Sequence, residues 1–144
     1  MLKPDFAEAH GNLMFALDMT AGIYTGTMQF ERRRWSERHA VPLLSRQAHS
    51  NRPHPDRRLR IGYVSADLRN HSAAKVFGTM LTRFDATQYD VYAYSNYRKT
   101  DNYTQWFQQH VTCWRDIAGV SDEAVAAQIR RDRIDILVDL SGHS

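Results

Sequence analysis

A chain of 144 residues with 42% hydrophobic and 24% charged residues is of one-domain size and can bury a core. Its net charge of +3 is mild, and no run approaches the roughly 18 apolar residues of a membrane span, so a spanning segment and membrane partners are not expected. The opening Met1-Leu2-Lys3-Pro4-Asp5 carries no apolar signal segment, and the single cysteine, Cys113, cannot form an internal disulfide. Together they suggest a cytoplasmic protein.

From the N-terminus, Leu2–Met19 reads as a helix. Pro4 suits the first turn, Asp5 and Glu8 complement the dipole, and Phe6, Ala9, Leu13, Ala16 and Leu17 fall on one face. Thr20-Ala21-Gly22 breaks it. A second helix is expected from about Thr27 to His39, with Met28 and Trp35 on one side and Arg32-Arg33-Arg34 on the other. The arginines alternate with Glu31, Glu37 and Asp56 and have little aromatic interleaving. They read as a solvated face and linker rather than a nucleic-acid footprint, so nucleic acid is not an expected partner.

Residues 41–58 have the texture of a linker, with Pro42, Pro53 and Pro55 in a polar stretch without period. The expected organisation is therefore helices over 1–40, a linker over 41–58 and a lobe over 59–144. Strands and helices alternate in that lobe. Leu59–Ala66, Tyr89–Ser95, Val111–Arg115 and Ile134–Leu140 are the strands. Between them come helices at Ser72–Phe84, at Asp101–His110 and after Ser121. Val76, Phe77, Met80, Leu81 and Phe84 mark the first helix's inner face, and Tyr103, Trp106 and Phe107 that of the second. The nearly continuous apolar run of the fourth strand suggests cover on both faces. The fold class is α/β, with a parallel sheet and right-handed crossovers.

The usual doubly wound order, 3-2-1-4, sets the first strand beside the fourth, and the crevice opens where the order reverses. Each of these strands runs into a histidine: Asn70-His71-Ser72 after the first, Gly142-His143-Ser144 after the fourth. Histidine is the side chain most readily poised as a general base near neutral pH. A helix N-terminus at His71 would favour both an anion and a neutral imidazole. Helix capping is the plain alternative for His71, and Asp139 either orients His143 or ends its strand. No GxGxxG, P-loop, HExxH, CxxC or GxSxG occurs, and the seven histidines lack metal-ligand spacing, so neither a metal nor a bound cofactor is expected.

The segments RRLRIGYVSADLRNHS (57–72), YDVYAYSN (89–96), WRDIAGVSDEAVAAQIRRDRIDILVDL (114–140) and GHS (142–144) resemble, in this order, the catalytic region of the O-linked N-acetylglucosamine transferase family, the SPINDLY-like group included. PDFAEAHGNL (4–13) resembles the family's last tetratricopeptide repeat or its capping helix. Lys75 departs from the pattern, standing where bacterial relatives often carry an aromatic.

The resemblance implies a Rossmann-like lobe of a GT-B type enzyme, incomplete here, preceded by a tetratricopeptide-like segment. It implies inverting transfer of a sugar from a nucleotide sugar, UDP-N-acetylglucosamine for choice, to Ser/Thr of acceptor proteins, without a required metal. By motif, His71 becomes the candidate base or acceptor-site residue, with Asn70, Ser72, Gly142 and His143 as substrate-binding residues. The uridine and diphosphate contacts would lie in a C-terminal lobe beyond Ser144, so the chain is expected to be a fragment inactive alone. A non-catalytic protein-interaction module and a relative using GDP-fucose are the alternatives.

Overall fold

The computed structural model describes Lys3, residues 5–44 and residues 48–141. It divides into two compact units, one reaching Ala48 and one starting at His49. In the first, α1 (Ala7–Met19) and α2 (Thr25–Trp35) form an antiparallel pair, and a π-helical turn (Ser36–Ala40) and a 3-10 turn (Val41–Leu43) follow. Gly22, at φ +80°, supplies the left-handed residue between the helices.

The buried side of α1 differs from the expected one. Met14 is buried and Ala7, His10 and Leu17 half-buried, while Phe6, Ala9, Leu13 and Ala16 are exposed. Polar anchors on α2 decide this rotation. Trp35 Nε1 donates to the Ala7 carbonyl (3.3 Å), and His10 Nε2 meets Glu31 Oε2 at 3.2 Å. The arginines of α2 face outward, as its pattern requires, and Arg32 pairs with Asp18 at 2.6 Å.

The second unit is α/β. Four parallel strands, β1 (Leu59–Ser65), β2 (Tyr89–Ser95), β3 (Cys113–Asp116) and β4 (Ile136–Asp139), lie in the order β3-β2-β1-β4. They alternate with α3 (Ser72–Thr82), α4 (Asn102–His110) and α5 (Asp122–Arg131). The strand order is the one the alternating pattern called for. Each helix starts on a side-chain cap. His71 accepts from Ala73 N–H, Asp101 from Thr104 N–H and Ser121 from Ala124 N–H. In α5, Asp122 and Glu123 at the start and Arg130-Arg131 at the end match the dipole.

Parallel register puts Ile61, Tyr63 and Ser65 on one face beside Val91, Ala93 and Ser95. Leu68, Ala74, Leu81 and Phe107 close over that face as the main core. On the other face, Gly62 leaves room for its neighbours. A Cβ there would lie 3.1 Å from both Ile134 Cγ2 and Tyr94 Cε2, and 3.2 Å from Leu137 Cδ1.

Three apolar expectations are corrected. Val76 (79% exposed) and Met80 point outward, because α3 turns Ala74 and Leu81 into the core and Gly78 toward Trp106 and Phe107 of α4. Small residues there let the helix approach closely. In α4, Phe107 is buried but Trp106 is exposed and Tyr103 half-buried, because Thr104 takes the inner position and donates to the Leu68 carbonyl (3.1 Å). In β4, Ile136 and Leu137 are exposed, since β4 is the outermost strand of the described sheet and not a doubly covered one.

Residues before β1 are tied to the foot of β4 through Asp135. Arg57 donates two bonds to its carboxylate (2.5 and 2.6 Å), Asn51 Nδ2 a third (2.5 Å) and Arg60 N–H a fourth (2.9 Å). The Arg57 guanidinium, aided by Arg60 N–H and Asn51, holds the Asp135 carboxyl far below the usual aspartate range. A carboxyl depressed on folding lends stability above its unfolded value, here 3.8, and that stability is lost as pH falls toward the folded value. Between about pH 5 and about pH 2 the melting temperature is therefore expected to fall more steeply in the native chain than in Asp135→Asn. Equal slopes in thermal scans would contradict this.

Candidate functional site

β1 and β4 run side by side to their carboxyl ends, Val64 opposite Asp139, and Leu140 N–H donates to the Val64 carbonyl (3.0 Å). Ser141 then crosses to the β1 exit. Its Oγ accepts from Ala66 N–H at 3.2 Å and lies 3.4 Å from Ser65 Oγ. The strand order reverses at this seam, which is where open parallel sheets place ligands. Of the two histidine loops expected there, the structure places the first. Gly142, His143 and Ser144 lie outside the described residues.

The loop from Ala66 to His71 is pinned at several points. Ser65, itself buried, accepts Asp67 N–H on its Oγ (2.9 Å). Asp67 is buried and meets Arg69 Nη2 through Oδ1 at 3.2 Å. The Arg69 guanidinium lies over the Tyr97 ring, 4.9 Å from its centroid, linking the loops that follow β1 and β2. Asn70 N–H donates to Asp101 Oδ2 (2.7 Å), while Asp101 Oδ1 caps α4 at Thr104 N–H (2.8 Å). These bonds, that from Asn70 foremost, lower the Asp101 carboxyl below its ordinary value. One carboxylate thus joins the site loop to the start of the next helix.

His71 comes out of this pinned loop at the N-terminus of α3. Its Nδ1 accepts from Ala73 N–H (3.3 Å) and lies 3.5 Å from Asp67 Oδ1, and its side chain is 39% exposed. The ring is held on its Nδ1 side and reaches solvent. That suits contact with a reacting hydroxyl. Asn70 and Ser72 flank it and are exposed. Asn70 is fixed through its backbone, which leaves its side chain available. The cap uses Nδ1 alone and leaves Nε2 outside it.

Asp67, Asp101 and Ser141 are the structural contributors that motif reading left unassigned. Asp67 could have been found from its spacing, four residues before His71. The roles of Asp101 and Ser141 depend on tertiary contacts that no local pattern announces. Among the described residues, no group of three or more His, Cys, Asp or Glu side chains is placed to hold a metal ion. No described helix is long and apolar enough to cross a membrane.

Comparison with known proteins identifies the family. The chain is similar along its whole length to a probable UDP-N-acetylglucosamine–peptide N-acetylglucosaminyltransferase SPINDLY of Oryza sativa subsp. japonica. The two are 33% identical over 147 residues, which is 99% of this chain and 16% of the relative. The SPINDLY protein of Arabidopsis thaliana is 31% identical over the same shares. Among solved structures, the Thermobaculum terrenum O-GlcNAc transferase K341M mutant superposes with a TM-score of 0.87 at 36% identity. That match covers 94% of this chain and 26% of the other. The chain thus spans about one sixth of these curated relatives' length (16%). The family model for glycosyl transferase family 41 matches residues 35–144, a stretch that includes the whole sheet and the His71 loop, and the chain belongs to that family.

Proposed function

We propose that this chain is the first part of the catalytic region of a protein O-glycosyltransferase that transfers N-acetylglucosamine from UDP-N-acetylglucosamine to Ser or Thr hydroxyls of acceptor proteins. The observation that carries the reading is His71, partly exposed at the α3 N-terminus and beside the β1–β4 seam, in a chain matching family 41 from residue 35 on. His71 Nε2 takes the acceptor hydroxyl proton. The freed oxygen attacks C1 of the sugar as the C1–O bond to the diphosphate breaks, and UDP leaves with inversion at C1. Asn70 and Ser72 serve the acceptor side in this reading, and Gly142 and His143, which lie outside the described residues, are assigned to the donor by motif alone.

The α/β unit is one lobe of a two-lobed GT-B architecture in this reading, and the helical unit is the end of a tetratricopeptide array. The enzyme works in the cytoplasm. Stabilising a leaving diphosphate needs cations or amide donors aimed at it, worth several kcal/mol of barrier. In this reading a second lobe supplies them, so the chain by itself does not turn over. No resident metal or cofactor takes part.

The test is transfer of labelled sugar to a protein acceptor by a full-length enzyme carrying this lobe and by the 144-residue chain, with UDP-N-acetylglucosamine and GDP-fucose as competing donors. Transfer from the first donor by the full-length enzyme alone is expected. Transfer from GDP-fucose would replace the donor assignment, and turnover by the isolated chain would overturn the two-lobe reading.

One observation favours a second reading, a protein-interaction module. Phe6, Leu13, Phe15 and Met19 leave α1 with exposed apolar side chains. Partner binding that survives loss of His71 would support it.

A further inference from the structure

Two groups compete for one nitrogen of His71. Ala73 N–H donates to Nδ1 at 3.3 Å, and Asp67 Oδ1 faces the same atom at 3.5 Å. An imidazole nitrogen either carries a proton or accepts one, so Nδ1 cannot satisfy both at once. While it caps α3, Nδ1 is bare and the neutral ring holds its proton on Nε2. The outward nitrogen is then a donor and has no lone pair for an acceptor hydroxyl. Base action through Nε2 requires the other tautomer, with the proton on Nδ1 and an acceptor beside it.

We propose that Asp67 is that acceptor: a positioning residue that selects the base-competent tautomer of His71, held in check by Arg69. Asp67 is suited to the task because it is buried and its own N–H is anchored on Ser65 Oγ (2.9 Å), which fixes where its carboxylate points. The check is visible in the geometry. Arg69 Nη2 takes the same oxygen, Oδ1, at 3.2 Å, nearer than His71 does. Arg69 has two other holds, its Nε donating to the Ala66 carbonyl (3.3 Å) and its guanidinium over Tyr97, so it can turn from Asp67 without losing its place.

With Arg69 on Oδ1, the α3 amide wins Nδ1 and His71 presents Nε2–H. With Oδ1 released, the ring proton moves by solvent exchange from Nε2 to Nδ1, Nδ1–H donates to the carboxylate, and Nε2 becomes a free acceptor. The tautomer balance is a property of this chain; its catalytic meaning rests on the glycosyl-transfer reading above.

Imidazole nitrogens of the 15N-histidine-labelled 144-residue chain, followed by long-range 1H–15N correlation above the histidine titration range, report the tautomer directly. The His71 signals are assigned by their loss in His71→Asn. The native chain is expected to be mainly the Nε2–H form. Arg69→Met, which keeps the stem of a half-exposed side chain, is expected to raise the Nδ1–H share roughly tenfold, the scale of one charge-assisted hydrogen bond. Adding Asp67→Asn to Arg69→Met is expected to return the ratio to the native one.

A native chain mainly in the Nδ1–H form would overturn the proposal. So would an unchanged ratio in Arg69→Met whose amide spectrum is native-like. Should Arg69→Met lose the fold, Arg69→Gln makes the same comparison. No donor or acceptor is present in the measurement, so its failure is distinct from failure of the transferase reading.

Discussion

His71→Asn in a full-length family 41 enzyme carrying this lobe is expected to lower kcat by about 10²–10⁴-fold, the usual worth of a positioned general base. The melting temperature should hardly change. Asparagine is chosen because His71 does two things, and alanine would remove both. As the N-cap of α3 the side chain accepts from Ala73 N–H, and losing a cap costs about 1 kcal/mol. Asparagine is among the best cap residues and no base, so it separates the two roles. His71→Ala should show the same loss of turnover and, in addition, the stability cost of the missing cap.

Donor binding, read as protection of the donor site by UDP, should be unchanged in both variants. Retention of near-native kcat in His71→Asn would reduce His71 to a capping residue.

Asp132→Ala is expected to destabilise the α/β unit by about 2–3 kcal/mol, the upper end for a buried donor left without its partner and a sizeable share of the 5–15 kcal/mol that holds a typical domain together. Asp132 is buried at the end of α5 and receives four bonds: Tyr94 Oη at 2.8 Å, Arg115 Nη2 at 2.8 Å and Nε at 3.2 Å, and Gln128 Nε2 at 3.0 Å. Removing it strands a fully buried phenol and a guanidinium together. In the native chain burial, with the Asp132 carboxylate as its partner, pushes the Tyr94 hydroxyl far above its ordinary range.

Tyr94→Phe is the milder change, expected to cost about 1 kcal/mol because Arg115 and Gln128 remain to hold the carboxylate. Urea titration of the two variants should rank them in that order. An Asp132→Ala variant within about 1 kcal/mol of the native chain would show the network to be replaceable.

The sheet was legible because its signals are local and agree with one another. β2 has the expected bounds, the caps at His71, Asp101 and Ser121 stand where side-chain acceptors precede helices, and the strand order is the usual one for doubly wound sheets. The rotation of α1 and the outward turn of Val76, Met80 and Trp106 were not legible. Several of these helices carry apolar residues nearly all round, and the choice of face falls to a few polar anchors such as Trp35 to Ala7 and Thr104 to Leu68. The same holds at the site. A histidine after a strand is visible in the sequence, but the shared use of its Nδ1 by Asp67 and Ala73 is a matter of tertiary distances.

The pairing of β1 with β4 also sets a timetable. β1 meets β2 across a single helical crossover, whereas Ile61 finds Ile136 only after two strands and three helices have intervened. Contacts so distant along the chain carry the largest loop-closure cost and are made late in folding. β4 also has just four residues in the ladder and exposed side chains at Ile136 and Leu137. The strand that completes the candidate site is thus expected to be the last to dock and the first to open. Its amides should exchange with solvent through local opening while those of β1 and β2 wait for global unfolding.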